Sequence, residues 1–407
     1  MPEAVIVSTA RTPIGRAMKG SLKNERPDDL TAFIIDTALN QVPELDRTTV
    51  EDLLLGCGQP AGESGFNMAR IAAIQAGMPN VPGVTINRYC SSSLQSIRMA
   101  THAIRSGEGD VFVAAGVETV SRFLNGMADV GGAKNPRYAD AEARTAERSA
   151  GGGDDWTADP AHFPDVYIAM GETAENVAEF TGTGREEMDE YAALSQQRAT
   201  ASLENGFWEH EITPVATTDD EGNEVTVSTD DGIRAGTTAE GLAKLKPVFR
   251  PDGKVTAGNA CPLNDGAAAV VVMSDTRAAE LGLTPLARVV SSGVTGLNPE
   301  IMGLGPIEAS KQALARAGMS IDDIDLVEIN EAFAAQVIPS AKELGISWDK
   351  LNVNGGAIAV GHPFGMTGAR IATTLIHGLQ DADKTFGLET MCVGGGQGMA
   401  MIFERLS

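Results

Sequence analysis

Apolar positions in the N-terminal part of the chain follow two alternating patterns. Short, nearly continuous apolar runs predict buried strands at residues 4–8, 50–55, 84–87 and 110–115. Between them, apolar residues recur with a helical period, which predicts helices at 27–39, 66–76 and 92–106. Strands that alternate with helices are typical of a parallel sheet with helices on its faces. The pattern therefore predicts an α/β fold.

The alternation stops after Ser121. Residues 125–165 are rich in glycine, alanine, aspartate and arginine, and this composition predicts a loop or covering segment. A helical stretch is expected over 173–205. An acidic run over 219–231 precedes four basic residues, Arg234, Lys244, Lys246 and Arg250. Charge runs of this kind are usually solvated faces, and a site for an anionic ligand is the alternative interpretation.

The C-terminal part returns to the alternating pattern. Strands are expected at 267–273, 288–294, 326–329 and 351–354, helices at 307–317, 333–344 and 368–379, and a closing hairpin at 385–392 and 400–404. In each half of the chain, a short strand that ends in VTIN or LNVN leads to a turn and then a helix. In a chain of 407 residues, this likeness predicts duplication of one βαβ-type domain, with sites at the matching turns.

Composition narrows the classes of partner. The net charge of −24 argues against nucleic acid or an anionic membrane. The first residues do not read as a signal peptide, and no apolar run reaches the ~18 residues of a membrane span. Four cysteines, Cys57, Cys90, Cys261 and Cys392, have no CxxC spacing. We therefore expect free thiols in a reducing cytoplasm, and no metal site.

Cys90 lies in the segment NRYCSSSLQ, where a predicted strand passes into a predicted helix. The amide N–H groups of a first helical turn favour a thiolate at such a position, and they can also stabilise an oxyanion. Cys90 is therefore a candidate nucleophile. A buried structural cysteine beside a serine cap is the alternative interpretation.

Three further segments carry candidate chemistry. His362 lies in GHPFGMTGAR, a turn rich in glycine and proline that could hold its imidazole as a base, although a structural histidine is the alternative. Cys392 precedes the glycines of CVGGGQG, whose free N–H groups suit a ligand, although a structural hairpin is the alternative. Asn330 opens NEAFA after an apolar strand, where it could orient a water or a carbonyl, or cap a helix.

In this order, NRYCSSSLQ, NEAFA, GHPFGMTGAR and CVGGGQG resemble the thiolase family. VIVSTARTPIG, GETAENVA and TAGNACPLNDGAAA also match, so the resemblance covers essentially the whole chain. It implies a thiolase-like fold, in which two duplicated βαβ-type domains with mixed five-stranded sheets have helices between and outside them. The implied division is 1–120 with 251–275, a loop domain at 121–250 that covers coenzyme A, and 276–407.

The resemblance implies an acyltransferase that carries out Claisen chemistry, or its reverse, on coenzyme A thioesters. By motif, Cys90 would take the acyl group, His362 would accept its proton, and Cys392 would move the proton at the α-carbon. A thiol suits that role because its ordinary pKa of ~8.5 lies near neutral pH. Asn330 would hold a water in one oxyanion hole with His362, and the backbone N–H groups of Cys90 and Gly394 would form a second.

Partners follow from the same resemblance. Acyl-CoA and free coenzyme A would be the substrates, with no permanently bound cofactor, and the enzyme would be a homodimer or homotetramer. Arg234 matches a position near the nucleotide, and Phe249 and Met170 match positions along the pantetheine arm. Cys261 replaces a serine that normally contacts coenzyme A. Because coenzyme A carries phosphates, the basic run is then expected to be an anion site.

Several departures from the family pattern bear on the acyl group. Ser93 stands where glycine is usual, Cys261 and Pro262 replace serine and glycine, and Ala169 precedes Met170 where short-chain acetoacetyl-CoA thiolases often have histidine. The loss of a bulky histidine at Ala169 predicts room for a larger group, and Ser93 argues against a short one. Cys261 and Pro262 predict a changed contact with coenzyme A. The combination looks most like thiolases of bacterial steroid side-chain degradation, which would place the enzyme in lipid β-oxidation.

Four alternatives stay open at this point. They are a biosynthetic acetoacetyl-CoA thiolase, a 3-ketoacyl synthase, a non-catalytic lipid carrier of the same superfamily, and a redox or metal role for the cysteines. Cys392 in CVGGGQG favours thiolase over the synthase, and a carrier would not need Cys90, His362 and Cys392 together.

Overall fold

The computed structural model describes residues 2–123, 134–158 and 160–407. The first part of the chain forms β1 (Ala4–Arg11), β2 (Gly15–Arg16), α1 (Pro27–Asn40), β3 (Asp52–Gly56), α2 (Met68–Gln75), β4 (Gly83–Ile86), α3 (Ser92–Ser106) and β5 (Val111–Thr119). The middle part forms α4 (Ala139–Ser149), α5 (Met170–Thr181), α6 (Arg185–Glu204), β6 (Val215–Thr218), β7 (Glu224–Val227) and α7 (Ala239–Leu242).

The last part contains the remaining elements. They are β8 (Asn264–Ser274), α8 (Asp275–Glu280), β9 (Ala287–Gly296), α9 (Gly305–Ala317), β10 (Leu326–Ile329), α10 (Ala334–Leu344), α11 (Ala357–Val360), α12 (Thr367–Asp381), β11 (Phe386–Val393) and β12 (Gln397–Arg405). Among the residues that the structure describes, no helix combines the length and the apolar content needed to cross a bilayer.

One large mixed sheet organises the fold, and the predicted α/β class is confirmed. Its strands lie in the order β10-β11-β12-β9-β1-β8-β5-β3-β4, and β2 pairs with β8. β3 runs parallel to both β4 and β5, and β10 runs parallel to β11. Among the described strands, the two halves of the sheet meet where β1 pairs with β9, through Val5 with Arg288 and Ile6 with Ala287.

Helices α3 and α12 pack against each other and bring the two halves together. Gly368 makes this close approach possible, because a Cβ at that position would lie 2.3 Å from the backbone nitrogen of Leu94. The helices bury Leu94, Ile97, Ile376 and Leu379 in one apolar cluster. The N-terminal ends of α3 and α12 therefore lie side by side, and each follows one of the turns that carry candidate chemistry.

Three sequence-based expectations were wrong. Residues 139–149 form α4 instead of loop, because this segment of alanine, glutamate and arginine has high helix propensity. The helical stretch at 173–205 is two helices, α5 and α6, separated at Gly182, whose φ of 71° ends the first. Residues 351–354 form a turn that keeps one bridge, from Leu351 to Val327. Part of the predicted loop at 125–165 lies outside the described residues.

Candidate active site

Cys90 lies in a short turn, Tyr89–Ser91, that leads into α3. Tyr89 adopts a left-handed conformation with φ of 43°, which is unfavourable for a bulky residue and is held by neighbouring hydrogen bonds. The Ser92 hydroxyl donates to the Tyr89 carbonyl at 2.7 Å and accepts from the Arg88 N–H at 2.9 Å. The turn leaves Cys90 only 8% exposed.

The Cys90 sulfur is surrounded by an environment that favours its neutral form. Burial raises the pKa of the thiol to about 12, and the Glu118 carboxylate adds to the rise. The backbone N–H groups of Gly394 and Cys90 interact with the sulfur and lower the pKa, but they do not outweigh burial. The expectation that the helix start holds a thiolate is therefore wrong for the free protein. Cys90 needs a base.

His362 provides a neutral imidazole with a defined tautomer. Its backbone N–H donates to Asn264 Oδ1 at 2.9 Å, and its Nδ1 lies 2.6 Å from Thr367 Oγ1. The Thr367 hydroxyl donates its one hydrogen to the Pro363 carbonyl at 2.7 Å, so Nδ1 must carry the proton between them. Burial, followed by the charge of Arg370, lowers the pKa of His362 to about 3. Nε2 therefore carries no proton, and its lone pair can act as a base.

Asn330 lies directly after β10 and faces His362. Its Nδ2 is 3.3 Å from His362 Nε2, and its backbone carbonyl accepts from Gln336 Nε2 at 2.6 Å. Its buried Oδ1 has no hydrogen-bond partner among the described residues, which suits an ordered water. The helix-cap interpretation is wrong, since the N-cap of α10 is Phe333.

Cys392 lies near the end of β11 and is fully buried. Burial raises its pKa well above the ordinary value, and Cys90 and Cys261 add to the rise, so the expectation of a near-neutral pKa is wrong. The hairpin that follows is joined to the Cys90 turn through Gln397. Arg88 Nη1 donates to Gln397 Oε1 at 2.8 Å, and Gln397 Nε2 donates to the Gly394 carbonyl at 3.2 Å. This link holds the Gly394 N–H against the nucleophile.

The residues expected to contact coenzyme A fall into two places. Met170 and Phe249 pack against the apolar cluster that contains Cys392 and Phe333. The rings of Phe249 and Phe333 lie 6.4 Å apart in an edge arrangement. The half-buried Cys261 joins this group, because its backbone N–H donates to the Ala332 carbonyl at 3.1 Å.

Arg234 lies on an exposed segment after β7, where its backbone N–H donates to Gln196 Oε1 on α6 at 2.7 Å. Among the contacts of the described residues, none joins Arg234 to the group around Phe333.

Arg250 does not contribute to an anion site. It is buried, its Nε donates to Glu172 at 2.7 Å, and its Nη1 donates to Glu179 at 2.9 Å. Its charge is already neutralised inside the protein. The anion interpretation of the basic run is therefore wrong for Arg250, whereas Lys244 and Lys246 are exposed.

Ser93 does not face the site. It is fully buried, and its Oγ accepts a hydrogen bond from the Ala369 N–H at 2.9 Å, across the contact between α3 and α12. The hydroxyl serves the packing of two helices. Its replacement of glycine therefore does not bear on the size of the acyl group, contrary to our expectation from the sequence.

Sequence reasoning missed Glu118, a carboxylate at the end of β5. It accepts the backbone N–H groups of Gly58 at 2.7 Å, Gln59 at 3.2 Å and Gly365 at 2.9 Å. Burial raises its pKa to about 7 against the effect of these donors. Glu118 thus fastens the His362 turn to the loop after β3. Its signal in the sequence was a lone acidic residue within the apolar run VFVAAGVET.

The comparisons with known proteins identify the family. Residues 4–276 match the N-terminal domain of thiolase, and residues 283–405 match the C-terminal domain. The chain belongs to the thiolase family. The predicted fold and enzyme class, an acyltransferase of the thiolase type, are thereby confirmed.

Relatives match over their full lengths. The chain is 44% identical to a 3-ketoacyl-CoA thiolase of Bacillus subtilis, with 99% of this chain and 100% of the relative covered. It is also 44% identical to a 3-ketoacyl-CoA thiolase of Pseudoalteromonas translucida, with 100% of both chains covered. The crystal structure of the Bacillus anthracis acetyl-CoA acetyltransferase superposes with a TM-score of 0.85 at 40% identity, covering 100% of this thiolase and 99% of that chain.

Proposed function

We propose that this thiolase cleaves 3-oxoacyl-CoA with coenzyme A, and that Cys90 carries the acyl group between the two steps. The products are acetyl-CoA (or propionyl-CoA) and a shortened acyl-CoA. The observation that carries the proposal is the pair of protonation states of Cys90 and His362. Cys90 carries a neutral thiol that interacts with the backbone N–H groups of Cys90 and Gly394, and His362 carries a neutral imidazole whose Nε2 is unprotonated. The two residues lie in the turns that lead into the packed helices α3 and α12.

In the first step, the Cys90 thiol gives its proton to His362 Nε2, and the sulfur attacks the 3-oxo carbon. The oxygen of that carbon becomes negative and receives the N–H groups of Cys90 and Gly394. The C2–C3 bond then breaks, and its electron pair forms an enolate whose oxygen is stabilised by protonated His362 and a water on Asn330. Cys392 donates its proton to C2, which completes acetyl-CoA and leaves acyl-Cys90.

In the second step, the thiol of coenzyme A gives its proton to the Cys392 thiolate and attacks the acyl group. The Cys90 thiolate leaves and recovers its proton from His362, so both thiols and the imidazole return to their first state. The raised pKa of Cys392 fits this order of events, because a thiol that starts protonated is ready to act as the acid.

Coenzyme A is proposed to lie under the segment 121–250, between the loop domain and the two core domains. The aromatic and thioether side chains of Phe249 and Met170 offer apolar contact to the pantetheine arm, and Cys261 lies beside it. Arg234 is exposed and offers a cation to the nucleotide phosphates.

A homodimer, alone or paired into a tetramer, is proposed from the edge of the sheet. β4 is the last strand on one side, and an uncovered edge strand invites pairing with another chain. Apolar side chains flank it, since Phe66 is 93% exposed, Tyr89 is 44% exposed and Val84 is 36% exposed. Because Tyr89 precedes the nucleophile, this interface would also support the Cys90 turn.

A bulky substrate, a 3-oxo side chain on a steroid ring system, is the proposed specificity. Ala169 is the N-cap of α5, directly before Met170, and its methyl group leaves space that a histidine would fill. Ser93 faces the helix contact and does not bear on the specificity, so the support for a steroid substrate comes from Ala169 and the NACPLNDG segment.

Reducing conditions in the cytoplasm are proposed because all four cysteines are free thiols.

Two measurements test the proposal. Mass spectrometry of the protein with a 3-oxoacyl-CoA should show an acyl group on Cys90, and Cys90→Ala should lose both adduct and turnover. An unmodified Cys90 in an active enzyme would overturn the mechanism. A comparison of kcat/KM for acetoacetyl-CoA, a long 3-oxoacyl-CoA and a steroid side-chain thioester tests the specificity. A strong preference for acetoacetyl-CoA would identify a biosynthetic short-chain thiolase instead.

A further inference from the structure

Glu331 follows Asn330 in the chain and is completely buried. Its carboxylate accepts hydrogen bonds from four donors: Tyr191 Oη at 2.7 Å, Ser195 Oγ at 2.6 Å, Asn352 Nδ2 at 2.8 Å and the Ile358 N–H at 3.1 Å. Four donors compensate the burial of one negative charge. The proposed mechanism does not use this carboxylate.

The four donors come from three separate segments of the chain. Tyr191 and Ser195 lie on α6, in the segment proposed to cover coenzyme A, and Ile358 lies on α11, which ends just before the His362 turn. Asn352 also bonds the backbone N–H and carbonyl of Ile329, each at 2.9 Å. The carboxylate therefore joins the covering segment to the chain on both sides of the site.

The chain passes close over the carboxylate at Gly356. A Cβ there would lie 2.5 Å from Glu331 Oε1, so the contact is tight and leaves little freedom. His362 has its own supports in Asn264 and Thr367. Asn330 is held by its backbone, and its side chain has no other anchor among the described residues than the imidazole. Loosening Glu331 would consequently move Asn330 more than it moves His362.

We propose that Glu331 is a positioning residue, which holds the Asn330 amide at its distance from His362 and so keeps the enolate oxyanion hole in shape. The inference rests on the proposed roles of Asn330 and His362. The enolate exists only when the C2–C3 bond is broken or made. Transfer of the acyl group between Cys90 and coenzyme A uses the other hole, made by the N–H groups of Cys90 and Gly394.

Two reactions of the full-length enzyme separate these steps. The first is exchange of labelled coenzyme A into acetyl-CoA, which needs only acyl transfer. The second is thiolysis of acetoacetyl-CoA, which needs the enolate. For Glu331→Gln we expect thiolysis to fall by about 10-fold to 100-fold, as for a buried group that loses a partner, and exchange to fall by less than about threefold. An equal fall in both, or no fall in either, would overturn the proposal.

A milder variant covers the case in which Glu331→Gln does not fold. Tyr191→Phe removes one of the four donors and should shift the ratio of the two rates in the same direction by a smaller factor. Asp325→Asn is the matched control. This carboxylate lies just before β10, at the opposite end of the strand from Asn330, and accepts the N–H groups of Thr385 at 3.0 Å and Phe386 at 2.9 Å.

The control should lower thermal stability and leave the ratio of thiolysis to exchange at the wild-type value. A ratio that changes equally in Asp325→Asn would overturn the assignment to Glu331. Failure of the wider proposal would look different, because a wild-type enzyme that is inactive with short and long 3-oxoacyl-CoA substrates alike would contradict the role of Cys90 itself.

Discussion

Thr367 fixes which nitrogen of His362 is the base. Because the Thr367 hydroxyl gives its hydrogen to the Pro363 carbonyl, its oxygen can only accept from Nδ1, at 2.6 Å. Nε2 is left to take the proton of Cys90. The turn from Pro363 to Thr367 thus sets the tautomer of His362, because both the Pro363 carbonyl and the Thr367 hydroxyl are needed.

Thr367→Val keeps the shape of the side chain and removes the acceptor. A buried donor left without a partner costs about 1–3 kcal/mol, so we expect kcat to fall by roughly 10-fold to 100-fold, with little change in KM. Steady-state kinetics checks this. Thr373→Val, one and a half turns further along α12, loses a similar bond to the Ala369 carbonyl at 2.9 Å and should keep its kcat. Equal losses in both variants would contradict the tautomer argument.

Cys392→Ser should separate the two steps of the reaction. A hydroxyl is a much weaker acid than a thiol, so protonation of the enolate carbon should slow by about 10²-fold to 10⁴-fold. Exchange of labelled coenzyme A into acetyl-CoA involves no proton transfer at carbon and needs Cys392 only for the proton of the coenzyme A thiol, so it should fall by much less than thiolysis. Rapid-quench kinetics with mass spectrometry of Cys90 would measure both. Equal losses of exchange and thiolysis would contradict the role of Cys392 as the acid at the enolate carbon.

Glu118 should make the stability of the fold depend on pH. Its pKa is raised from 4.5 to about 7, so the protonated carboxyl stabilises the folded state. That contribution is complete below pH 4.5 and is lost as pH rises through 7. Glu118→Gln cannot ionise. Its free energy of unfolding should therefore rise relative to that of the wild type by up to about 3 kcal/mol as pH increases from 4.5 to 7. Urea unfolding of both proteins at a series of pH values checks this, and a constant difference across the series would contradict it.

Phe66 should reveal whether the β4 edge is an interface. Its φ of 56° is unfavourable for a phenylalanine and favourable for an asparagine. Phe66→Asn should therefore leave the single chain at least as stable, while the dissociation constant of the dimer rises by about 10-fold or more. Sedimentation velocity over a concentration series measures this. Leu406→Asn, at an exposed apolar residue near the C terminus, is the control. An unchanged mass distribution for Phe66→Asn would contradict the proposed interface.

The elements of the fold could be predicted where the apolar pattern was strong. The helix expected at 92–106 and the strand expected at 326–329 have the bounds of α3 and β10. Residues 139–149 were missed because only Ala141 of α4 is buried, so its helix leaves little apolar periodicity. The strand expected at 351–354 failed because the chain there turns to bring Asn352 under Glu331.

The sequence motifs predicted which residues belong to the candidate site, but they did not predict the protonation states or the supporting contacts of those residues. Each of Cys90, Asn330, His362 and Cys392 stood in a recognisable turn or strand end, and two of these segments, those of His362 and Cys392, are rich in glycine or proline. Their protonation states depend on burial, which a sequence does not display. The supports depend on contacts between distant parts of the chain, such as Glu118 with Gly365, 247 residues away.

The narrow junction between β1 and β9 has a consequence for the origin of the activity. One half of the sheet supplies the nucleophile through Cys90, and the other half supplies its base and its acid through His362 and Cys392. One half of the sheet with its helices would hold either the Cys90 thiol or the His362 imidazole, and would lack the other group of the proton transfer. A chain of half this length would need to pair with a second chain to bring the nucleophile and its base together.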